Sequence, residues 1–379
     1  MSAPETATPL CPHFGVCGGC QHQDLAYSEQ LRLKRTRLEE ILHNAGIKDL
    51  PEMAVHSGEP WAYRNRIRLR LEHIGNDRFV GYNRADSTDF LGITTCPIAA
   101  PVLWTAAEAL LAAATGDRDT AAWFGAAAQV ELFCNDDLSR VQLMLLCPKK
   151  TALQPASFTR AIAALHLPQL AGAAAVQVEA RTGRPLRTLA ETGASGLAYR
   201  VGDESYWISR GSFFQVNRFL LLTLVDMVCN RRSGELAWDL FAGVGLFSRL
   251  LARSFSQITA VEANPTAASD LRAALGKLGA QHTAVEATTL DFLRFAVLQR
   301  ERPELIVLDP PRAGAGAEAR TLLLRLAPHT IVYVSCDPTT LARDLRTLQP
   351  HYSITELHLV DLFPQTSHVE TVVVIQRNS

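Results

Sequence analysis

Cys336 is the first residue of this chain whose type and position could do chemistry. It stands in the sequence VSCDP, directly after the apolar run Ile331–Val334, which is typical of a buried strand. A cysteine at the end of such a strand is either an inert core residue or a nucleophile. The residues that share the same edge of the sheet must decide between these two interpretations.

A second group of cysteines lies near the start of the chain. Cys11, Cys17 and Cys20 fall within ten residues, and Cys96 follows in the sequence TCP. In a cytosolic chain of this size, clustered cysteines indicate a metal site or catalysis rather than disulfides. Four thiolates suit a [4Fe–4S] cluster and suit tetrahedral zinc equally well, and their spacing does not separate the two.

A glycine turn lies in the second half of the chain, upstream of the Cys336 motif. The sequence WDLFAGVG ends an apolar strand, and Gly243 and Gly245 let the backbone turn sharply beside a ligand. Ser248 stands where a dinucleotide-binding turn would have a third glycine, and Glu262 ends the next strand, where it could bind ribose hydroxyls. The pattern favours an S-adenosylmethionine pocket over an ordinary turn with a solvated glutamate.

Two further segments belong to the same predicted strand ends. Asp309, in the sequence LDPPR, would face the cofactor or the base to be modified, and the two prolines that follow it donate no amide hydrogen. Glu370, in the sequence FPQTSHVE, is a candidate general base, because partial burial would raise its pKa towards neutrality. His368 is the second choice for that role, and a solvated glutamate at the start of a strand is the plain alternative.

The elements that must position these residues form two regions. From about Ser209, short apolar strands alternate with helices, which predicts an α/β fold with a mostly parallel, helix-covered sheet in residues 209–379. Residues 1–208 predict an α+β domain with an antiparallel sheet, preceded by an amphipathic helix over 25–45 that could pack on the other domain. We expect strands near 65–73, 78–84, 129–135, 140–147, 175–180, 186–190 and 197–208, and buried Ala-rich helices within 106–128 and 161–175.

One predicted strand has a strongly basic face. Arg64, Arg66, Arg68 and Arg70 alternate with mainly apolar residues, so a strand would present four guanidinium groups on one side. Such a row could contact phosphates and stack on unpaired bases, or could be a solvated surface. Lys34, Arg35 and Arg37, on the preceding helix, would add local positive charge.

Composition excludes several other classes of protein. The chain has 379 residues, 47% of them hydrophobic and 20% charged, and a net charge of −1, so there is no overall basic field for a nucleic acid. No apolar run approaches the ~20 residues of a membrane span. The first ten residues lack the features of a secretory signal, so we expect a cytoplasmic location and no membrane partner.

Together, these motifs resemble the bacterial RNA uridine C5-methyltransferases, which produce 5-methyluridine in transfer and ribosomal RNA. The matching segments span the second half in order: FFQVN (213–217), DLFAGVG (239–245), LDPPR (308–312), VSCDP (334–338) and DLFP through HVE (361–370). The resemblance implies a class I, Rossmann-like methyltransferase domain. It also implies a set of cofactor-binding residues, namely Gln215, Phe241, Gly243, Gly245, Glu262 and Asp309.

By the same resemblance, Cys336 would be the nucleophile and Glu370 the base. Carbon 5 of uracil is a poor nucleophile, and a thiolate that adds to carbon 6 converts the ring to an enolate that can attack a methyl donor. The target carbon is shielded in stacked RNA, so the uridine should be flipped out into the site. We expect an unpaired uridine of 23S ribosomal RNA as substrate and a monomeric enzyme.

The N-terminal cysteines refine this resemblance. Cys11, Cys17, Cys20 and Cys96 look like the [4Fe–4S] ligands of the ribosomal RNA branch, which the transfer RNA branch lacks. Cys11 lies too near the start for the extra β-barrel domain of one type, which favours the shorter type, the 23S rRNA (uracil(747)-C(5))-methyltransferases. The three N-terminal cysteines of that type can be spaced more widely than here.

Two rival functions belong to different classes. One is an enzyme of the same fold with another target, such as cytosine C5 or a transfer RNA uridine. The other is an iron–sulfur RNA-binding protein whose methyltransferase half is inactive, against which the presence of Cys336, Glu370 and the glycine turn argues.

Overall fold

The computed structural model describes residues 5–75 and 77–378. Residues 1–4, part of the segment from which we predicted the absence of a secretory signal, lie outside this range. In chain order, the elements up to residue 209 are α1 (Tyr27–Asn44), β1 (Met53–His56), β2 (Arg66–Ile74), β3 (Asp77–Asn83), β4 (Phe90–Gly92), α2 (Pro101–Gly116), α3 (Arg118–Ala126), β5 (Gln129–Cys134), β6 (Val141–Cys147), α4 (Pro155–Ala163), β7 (Leu170–Val178), β8 (Pro185–Gly193), β9 (Gly196–Val201) and β10 (Glu204–Ser209).

The second half of the chain continues the numbering and supplies most strands of the larger sheet. Its elements are α5 (Leu221–Cys229), β11 (Gly234–Leu240), α6 (Ser248–Leu251), β12 (Phe255–Glu262), α7 (Pro265–Leu275), β13 (Thr283–Glu286), α8 (Thr289–Gln299), β14 (Leu305–Leu308), α9 (Ala317–Leu326), β15 (Thr330–Ser335), α10 (Pro338–Leu348), β16 (Tyr352–Val360) and β17 (Glu370–Arg377).

An eight-stranded sheet in the order β1-β16-β17-β15-β14-β11-β12-β13 forms the larger layer. Its strands are parallel except for β17, which is antiparallel to both of its neighbours. Apolar side chains cover both faces, because the central strands, such as β14, are buried along their whole length. The predicted α/β fold with a mostly parallel sheet is therefore confirmed.

Strand β1 and helix α1 come from the first half of the chain but pack on this larger sheet. β1 pairs in parallel with β16, and Leu38 and Leu42 of α1 lie in the same core as Trp238 of β11. The predicted division at residues 208/209 stays a prediction, although these two elements lie across it.

A seven-stranded sheet in the order β4-β3-β2-β5-β6-β7-β8 forms the other layer. Its pairs are antiparallel except for β6 and β7, which the α4 crossover joins in parallel. Helices α2, α3 and α4 cover one face through a core that includes Leu103, Trp123 and Phe158. This arrangement agrees with the α+β architecture expected for the first half.

Two sequence-based expectations in this region were wrong. The stretch around 161–175 is helical only as far as Ala163, and Leu170–Val178 is a strand, because its small side chains fit between layers of a buried sheet. The predicted single strand over 197–208 is a hairpin of β9 and β10, which turns at Gly202 with a φ of +57°.

Candidate active site at the carboxyl edge of the eight-stranded sheet

The predicted site residues of the second half meet at one edge of the larger sheet. Strands β11, β12, β14 and β15 are parallel and end there, and they are followed or terminated by Phe241, Glu262, Asp309 and Cys336. Strand β17 runs in the opposite direction, so its first residue, Glu370, lies at the same edge. The carboxyl ends of parallel strands are where such folds bind ligands.

Cys336 and Glu370 continue the pairing of β15 with β17. Ser335 pairs with Thr371, so the next residues in the antiparallel register are Cys336 and Glu370. Glu370 is 2% exposed, whereas Cys336 is half-buried at the start of the turn into α10. The sulfur therefore faces a partly open space beside a buried carboxyl group.

Burial and charge act together on these two groups. Burial, and after it the charge of Glu370, raises the pKa of the Cys336 thiol to about 11, while Arg312 opposes the increase. The pKa of Glu370 is raised well above its usual range, first by burial and then by the neighbouring Asp309. Thiol and carboxyl groups in this position accept and release protons at higher pH than they do in water.

The glycine turn after β11 has the backbone conformation that its sequence predicts. Gly243 and Gly245 have φ angles of +57° and +92°, and a Cβ on Gly245 would lie only 2.8 Å from Cδ1 of Leu271. A Cβ on Gly243 would meet no atom within 4 Å, so open space lies over this part of the turn. Glu262 accepts hydrogen bonds from the amides of Gly243, at 2.8 Å, and Asn264, at 2.6 Å.

Phe241 and Gln215 complete the walls of a small cavity of about 30 Å³ at this turn, together with Phe214, Gly243 and Asp309. Phe241 has a φ of +64°, a conformation that a non-glycine residue rarely adopts and that is found at functional sites. The cofactor-binding residues expected from the resemblance are thus brought together, with Glu262 joined to them through Gly243.

Two buried carboxyl groups stand beside this cavity. Gln215 donates from Nε2 to Oδ2 of Asp309 at 3.2 Å, and Ser248 donates to Asp239. Burial raises the pKa of both aspartates to about 7, and the negative charge of Asp239 contributes to the shift of Asp309. Ser248, which replaces the third glycine of a dinucleotide turn, therefore has a structural partner.

Two residues of this edge, Asp239 and Arg312, had no role predicted from the sequence. Asp239 was quoted in a motif without a role, although a lone aspartate within the apolar run ELAWDLF was a usable signal. Arg312 was quoted in the same way, and it is the cation that opposes the raised pKa values of Cys336 and Glu370. Its Nη2 atom lies 3.4 Å from both ring nitrogens of His368.

His368, the alternative base, lies in a different environment from Glu370. Its ring meets the Phe363 ring edge to face, with centroids 5.7 Å apart. Burial lowers the pKa of His368, and the positive charge of Arg312 lowers it further. A neutral imidazole is the form that this environment favours.

The four N-terminal cysteines line one cavity of about 200 Å³, between the N-terminal segment and the β2–β4 region. Its other walls include Arg64, Tyr82 and Pro97. Within residues 5–75 and 77–378, no three His, Cys, Asp or Glu side chains are grouped closely enough to hold a single metal ion. The thiols do share one cavity, whose volume is several times the ~30 Å³ that a water molecule occupies in the liquid.

The arginine row of β2 is not a free cationic face. Arg66 and Arg68 both donate to Glu131 on the neighbouring strand, and Arg66 also lies over the Phe133 ring at 4.4 Å. Arg70 is bonded to Glu72. Arg68, whose side chain is 50% exposed, is the arginine of these three that reaches farthest into solvent.

The first member of the row, Arg64, lies before the strand and is mostly enclosed. Its guanidinium group stands 5.9 Å from the centre of the Phe363 ring and lines the cysteine cavity. The expectation for Lys34 was wrong, because its Nζ atom is buried and donates to Asp361 at 2.6 Å. Helix α1 therefore binds the catalytic region through that face instead of presenting it to solvent.

Comparisons with known proteins identify the family to which this chain belongs. Residues 26–378 match the family model described as tRNA (Uracil-5-)-methyltransferase. A 23S rRNA (uracil(1939)-C(5))-methyltransferase RlmD of Alkalilimnicola ehrlichii is 30% identical over 100% of this chain and 84% of its own length. The corresponding protein of Edwardsiella ictaluri is 32% identical over 99% of this chain and 83% of its own length.

A solved structure has the same fold. The Pyrococcus abyssi tRNA (uracil-54, C5)-methyltransferase, in complex with S-adenosyl-L-homocysteine, superimposes with a TM-score of 0.74 at 25% identity. The match covers 95% of this chain and 86% of that one. Among residues 5–75 and 77–378, no helix combines the length and the apolar character that crossing a membrane requires.

The resemblance predicted from the motifs is confirmed by a family model that covers most of the chain. The solved structure with the same fold is a complex with S-adenosyl-L-homocysteine. The chain therefore belongs to the tRNA (Uracil-5-)-methyltransferase family, the S-adenosylmethionine-dependent enzymes that methylate carbon 5 of uracil in RNA.

Proposed function

We propose that this enzyme transfers a methyl group to carbon 5 of a uridine in 23S ribosomal RNA through a covalent bond between Cys336 and carbon 6 of the uracil. One observation supports this proposal most strongly: Cys336 and Glu370 directly follow the Ser335–Thr371 pair of the β15–β17 register, beside Asp309, which lines a cavity with Gly243 of the glycine turn. A nucleophile and a base are thereby available on the same uracil ring.

The cofactor would be held at the end of β11 and β12. Glu262 would bind the ribose, as an acid at the end of the second strand does in related nucleotide sites. Support for a ligand here comes from the open space over Gly243 and from the left-handed backbone of Phe241. When bound, S-adenosylmethionine supplies an electrophilic methyl group, and Gln215 and Asp309 stand between its site and Cys336 in the proposed arrangement.

The residues of the chain would then act in sequence. The Cys336 thiolate adds to carbon 6, which places negative charge on the ring and makes carbon 5 nucleophilic. After carbon 5 has taken the methyl group, the Glu370 carboxylate removes the proton from that carbon. The electron pair of that C–H bond re-forms the C5–C6 double bond and expels the thiolate, so Cys336 is regenerated.

Ribosomal RNA is the favoured substrate because relatives about 30% identical over nearly the whole chain are 23S rRNA enzymes. The uridine would be flipped out, and the exposed Arg68 would contact a phosphate near it. The resemblance to the shorter type implied uridine 747 as the target, whereas the names of these relatives specify uridine 1939. A monomer acting in the cytoplasm belongs to the same proposal.

A transfer RNA uridine is the second candidate substrate. It is supported by the Pyrococcus abyssi neighbour, whose target is uracil 54 of transfer RNA. The two substrates are distinguished by offering the enzyme a 23S ribosomal RNA fragment and a transfer RNA transcript in the same assay. Mapping of 5-methyluridine in ribosomal RNA from a deletion strain then identifies the nucleotide.

We also propose that Cys11, Cys17, Cys20 and Cys96 hold a [4Fe–4S] cluster, with zinc as the alternative. Support comes from the common cavity and from the donor set of four thiols. Anaerobic purification should yield a brown protein with about four irons per chain. A colourless protein with one zinc would overturn the assignment.

Trapping with 5-fluorouridine RNA tests the covalent mechanism. Fluorine cannot leave carbon 5 as a proton, so the wild-type enzyme with S-adenosylmethionine should form a stable protein–RNA adduct that migrates slowly on a denaturing gel. Cys336→Ala should form none, and Cys134→Ala, a buried cysteine of the other sheet, is the matched control. An adduct retained by Cys336→Ala would disprove the role of Cys336.

A further inference from the structure

The N-terminal segment that contains the cysteines is hydrogen-bonded to the loop that leads to Glu370. This loop, residues 361–368, joins β16 to β17, and we call it the base loop. Directly after Cys20, the amides of Gln21 and His22 donate to the carbonyl oxygen of Gln365 at 2.9 and 3.1 Å. The peptide groups of Gln21 and His22 thus connect the cysteine cavity to the base loop.

Gln30 of α1 makes a reciprocal contact with the same loop residue. The amide of Gln365 donates to Oε1 of Gln30 at 2.9 Å, and Nε2 of Gln30 donates to Oε1 of Gln365 at 3.0 Å. Both side chains are buried, at 1% and 3% exposure. The main-chain N–H and C=O groups of Gln365 are therefore both satisfied by the first thirty residues of the chain.

Gln365 also has a backbone conformation that needs such support. Its φ is +68°, in the left-handed region, which a residue with a Cβ rarely adopts unless its surroundings enforce it. The hydrogen bonds to Gln21, His22 and Gln30 enforce it here. Without them, the backbone of the base loop would be free to relax to a less strained conformation.

Further contacts hold the rest of the base loop to the first half of the chain. Nζ of Lys34 donates to Asp361 and, at 2.9 Å, to the carbonyl oxygen of Phe363. The Tyr63 hydroxyl donates to the carbonyl oxygen of Pro364 at 3.0 Å. The position of the base loop, and hence of Glu370, therefore depends on contacts with the first half of the chain.

We propose that Gln30 and Gln365 are positioning residues for Glu370, and that a group bound by the cysteine cavity keeps the base in place through Gln21 and His22. The cavity thereby gains a role in catalysis without contacting the reacting atoms. This inference rests on the proposed function, in which Glu370 removes the proton from carbon 5.

The step that depends on Glu370 should fail while the earlier step survives. In Gln30→Ala, Cys336 still adds to carbon 6, but proton removal is slowed, because small misplacement of a catalytic group can cost about 100-fold in rate. With ordinary uridine RNA, this variant should accumulate the covalent protein–RNA adduct and turn over about 10- to 100-fold more slowly. Gln30→Glu, which keeps an acceptor for the Gln365 amide, should recover part of the rate.

Glu40→Ala is the matched control, since Glu40 is exposed on the same helix. It should turn over at the wild-type rate without accumulating adduct. Wild-type adduct levels in Gln30→Ala at reduced turnover, or an unchanged turnover, would overturn the role of Gln30. Failure of the proposed function is distinguishable, because Cys336→Ala would then still methylate RNA.

Hydrogen exchange provides a test that does not depend on activity. A chelator that removes the cluster or zinc proposed for the cysteine cavity should increase the hydrogen-exchange rates of the Gln365 and Thr366 amides at least tenfold in the full-length protein. The substitution Cys20→Ser should have the same effect. Exchange in β5 and β6 of the other sheet should stay the same, which shows that the chain remains folded. Unchanged exchange in the base loop after metal loss would overturn the link to the cysteine cavity.

Discussion

The carboxyl edge of the eight-stranded sheet and the arginine face of β2 differ in how their charged groups are arranged. At the edge, Asp239, Asp309 and Glu370 are buried close together, and their pKa values are raised. On the β2 face, Arg66 and Arg68 share the carboxylate of Glu131, so each of these cations lies beside an opposite charge.

The difference separates chemistry from stability. Burying acids close together makes folding less favourable even with Arg312 nearby, and such groups cluster where protons must move. Matched pairs at a sheet surface hold strands in register and leave little charge for a ligand. We therefore expect substitutions at the edge to affect rate and substitutions on the β2 face to affect stability or RNA affinity.

Glu370→Gln should have the largest effect. The amide cannot remove the proton from carbon 5, and loss of a general base costs about 100- to 10,000-fold in rate. The variant should retain the covalent adduct with ordinary uridine RNA, measured on a denaturing gel beside a methyl-transfer assay. His368→Gln is the comparison, because equal losses in both variants with adduct retained only by His368→Gln would move the role of base to His368.

The pH dependence should show the raised pKa values directly. Both Cys336 and Glu370 act deprotonated, and the pKa of the thiol is about 11, so the thiolate fraction falls about tenfold for each pH unit below that value. We expect kcat/KM to increase steadily from pH 6.5 to pH 9. A profile that is flat above pH 7 would contradict this account of the site, provided that the protein is equally folded across the range.

Glu131→Ala should mainly reduce stability. It leaves Arg66, whose side chain is 14% exposed, without its carboxylate partner, at a cost of about 2–3 kcal/mol in the free energy of unfolding. Denaturant unfolding measures this loss, and Glu72→Ala, next to the more exposed Arg70, is the milder control. A larger effect on kcat than on unfolding would break the proposed separation of the two regions.

Arg68→Ala should have the smallest effect. Because this exposed arginine would contact phosphate, its loss should weaken RNA binding a few-fold and reduce the slope of log affinity against log salt by about 1. Arg160→Ala, at an exposed ion pair on α4, is a matched control for loss of a surface arginine. An unchanged salt slope would show that the β2 face does not bind RNA.

Much of the candidate site was predictable because its residues follow strands at one edge. Gly243, Glu262, Asp309 and Cys336 each end or follow an apolar run, and parallel strands bring such positions together. The order of the motifs along the chain therefore predicted which residues would meet. Glu370 could be predicted to lie at the same edge once the last strand, β17, was taken to run antiparallel to the others.

Other features depended on distant partners. Lys34 has the sequence context of an exposed helix residue, yet it is buried because Asp361, 327 positions away, accepts a hydrogen bond from its Nζ atom at 2.6 Å. The Ala-rich segment Leu170–Val178 has helical propensity, but packing between β6 and β8 makes it a strand. Local propensity is weak compared with the burial that a sheet provides.

The sequence by itself determined which residues are candidates for catalysis, because a cysteine, a carboxylate and a glycine turn at strand ends are local signals. Only the tertiary structure decided how that chemistry is held in place. The hydrogen bonds from Gln21 and Gln30 to Gln365 join residues more than three hundred positions apart. No local pattern specifies such a contact, since its free energy comes from burying both partners together in the folded chain.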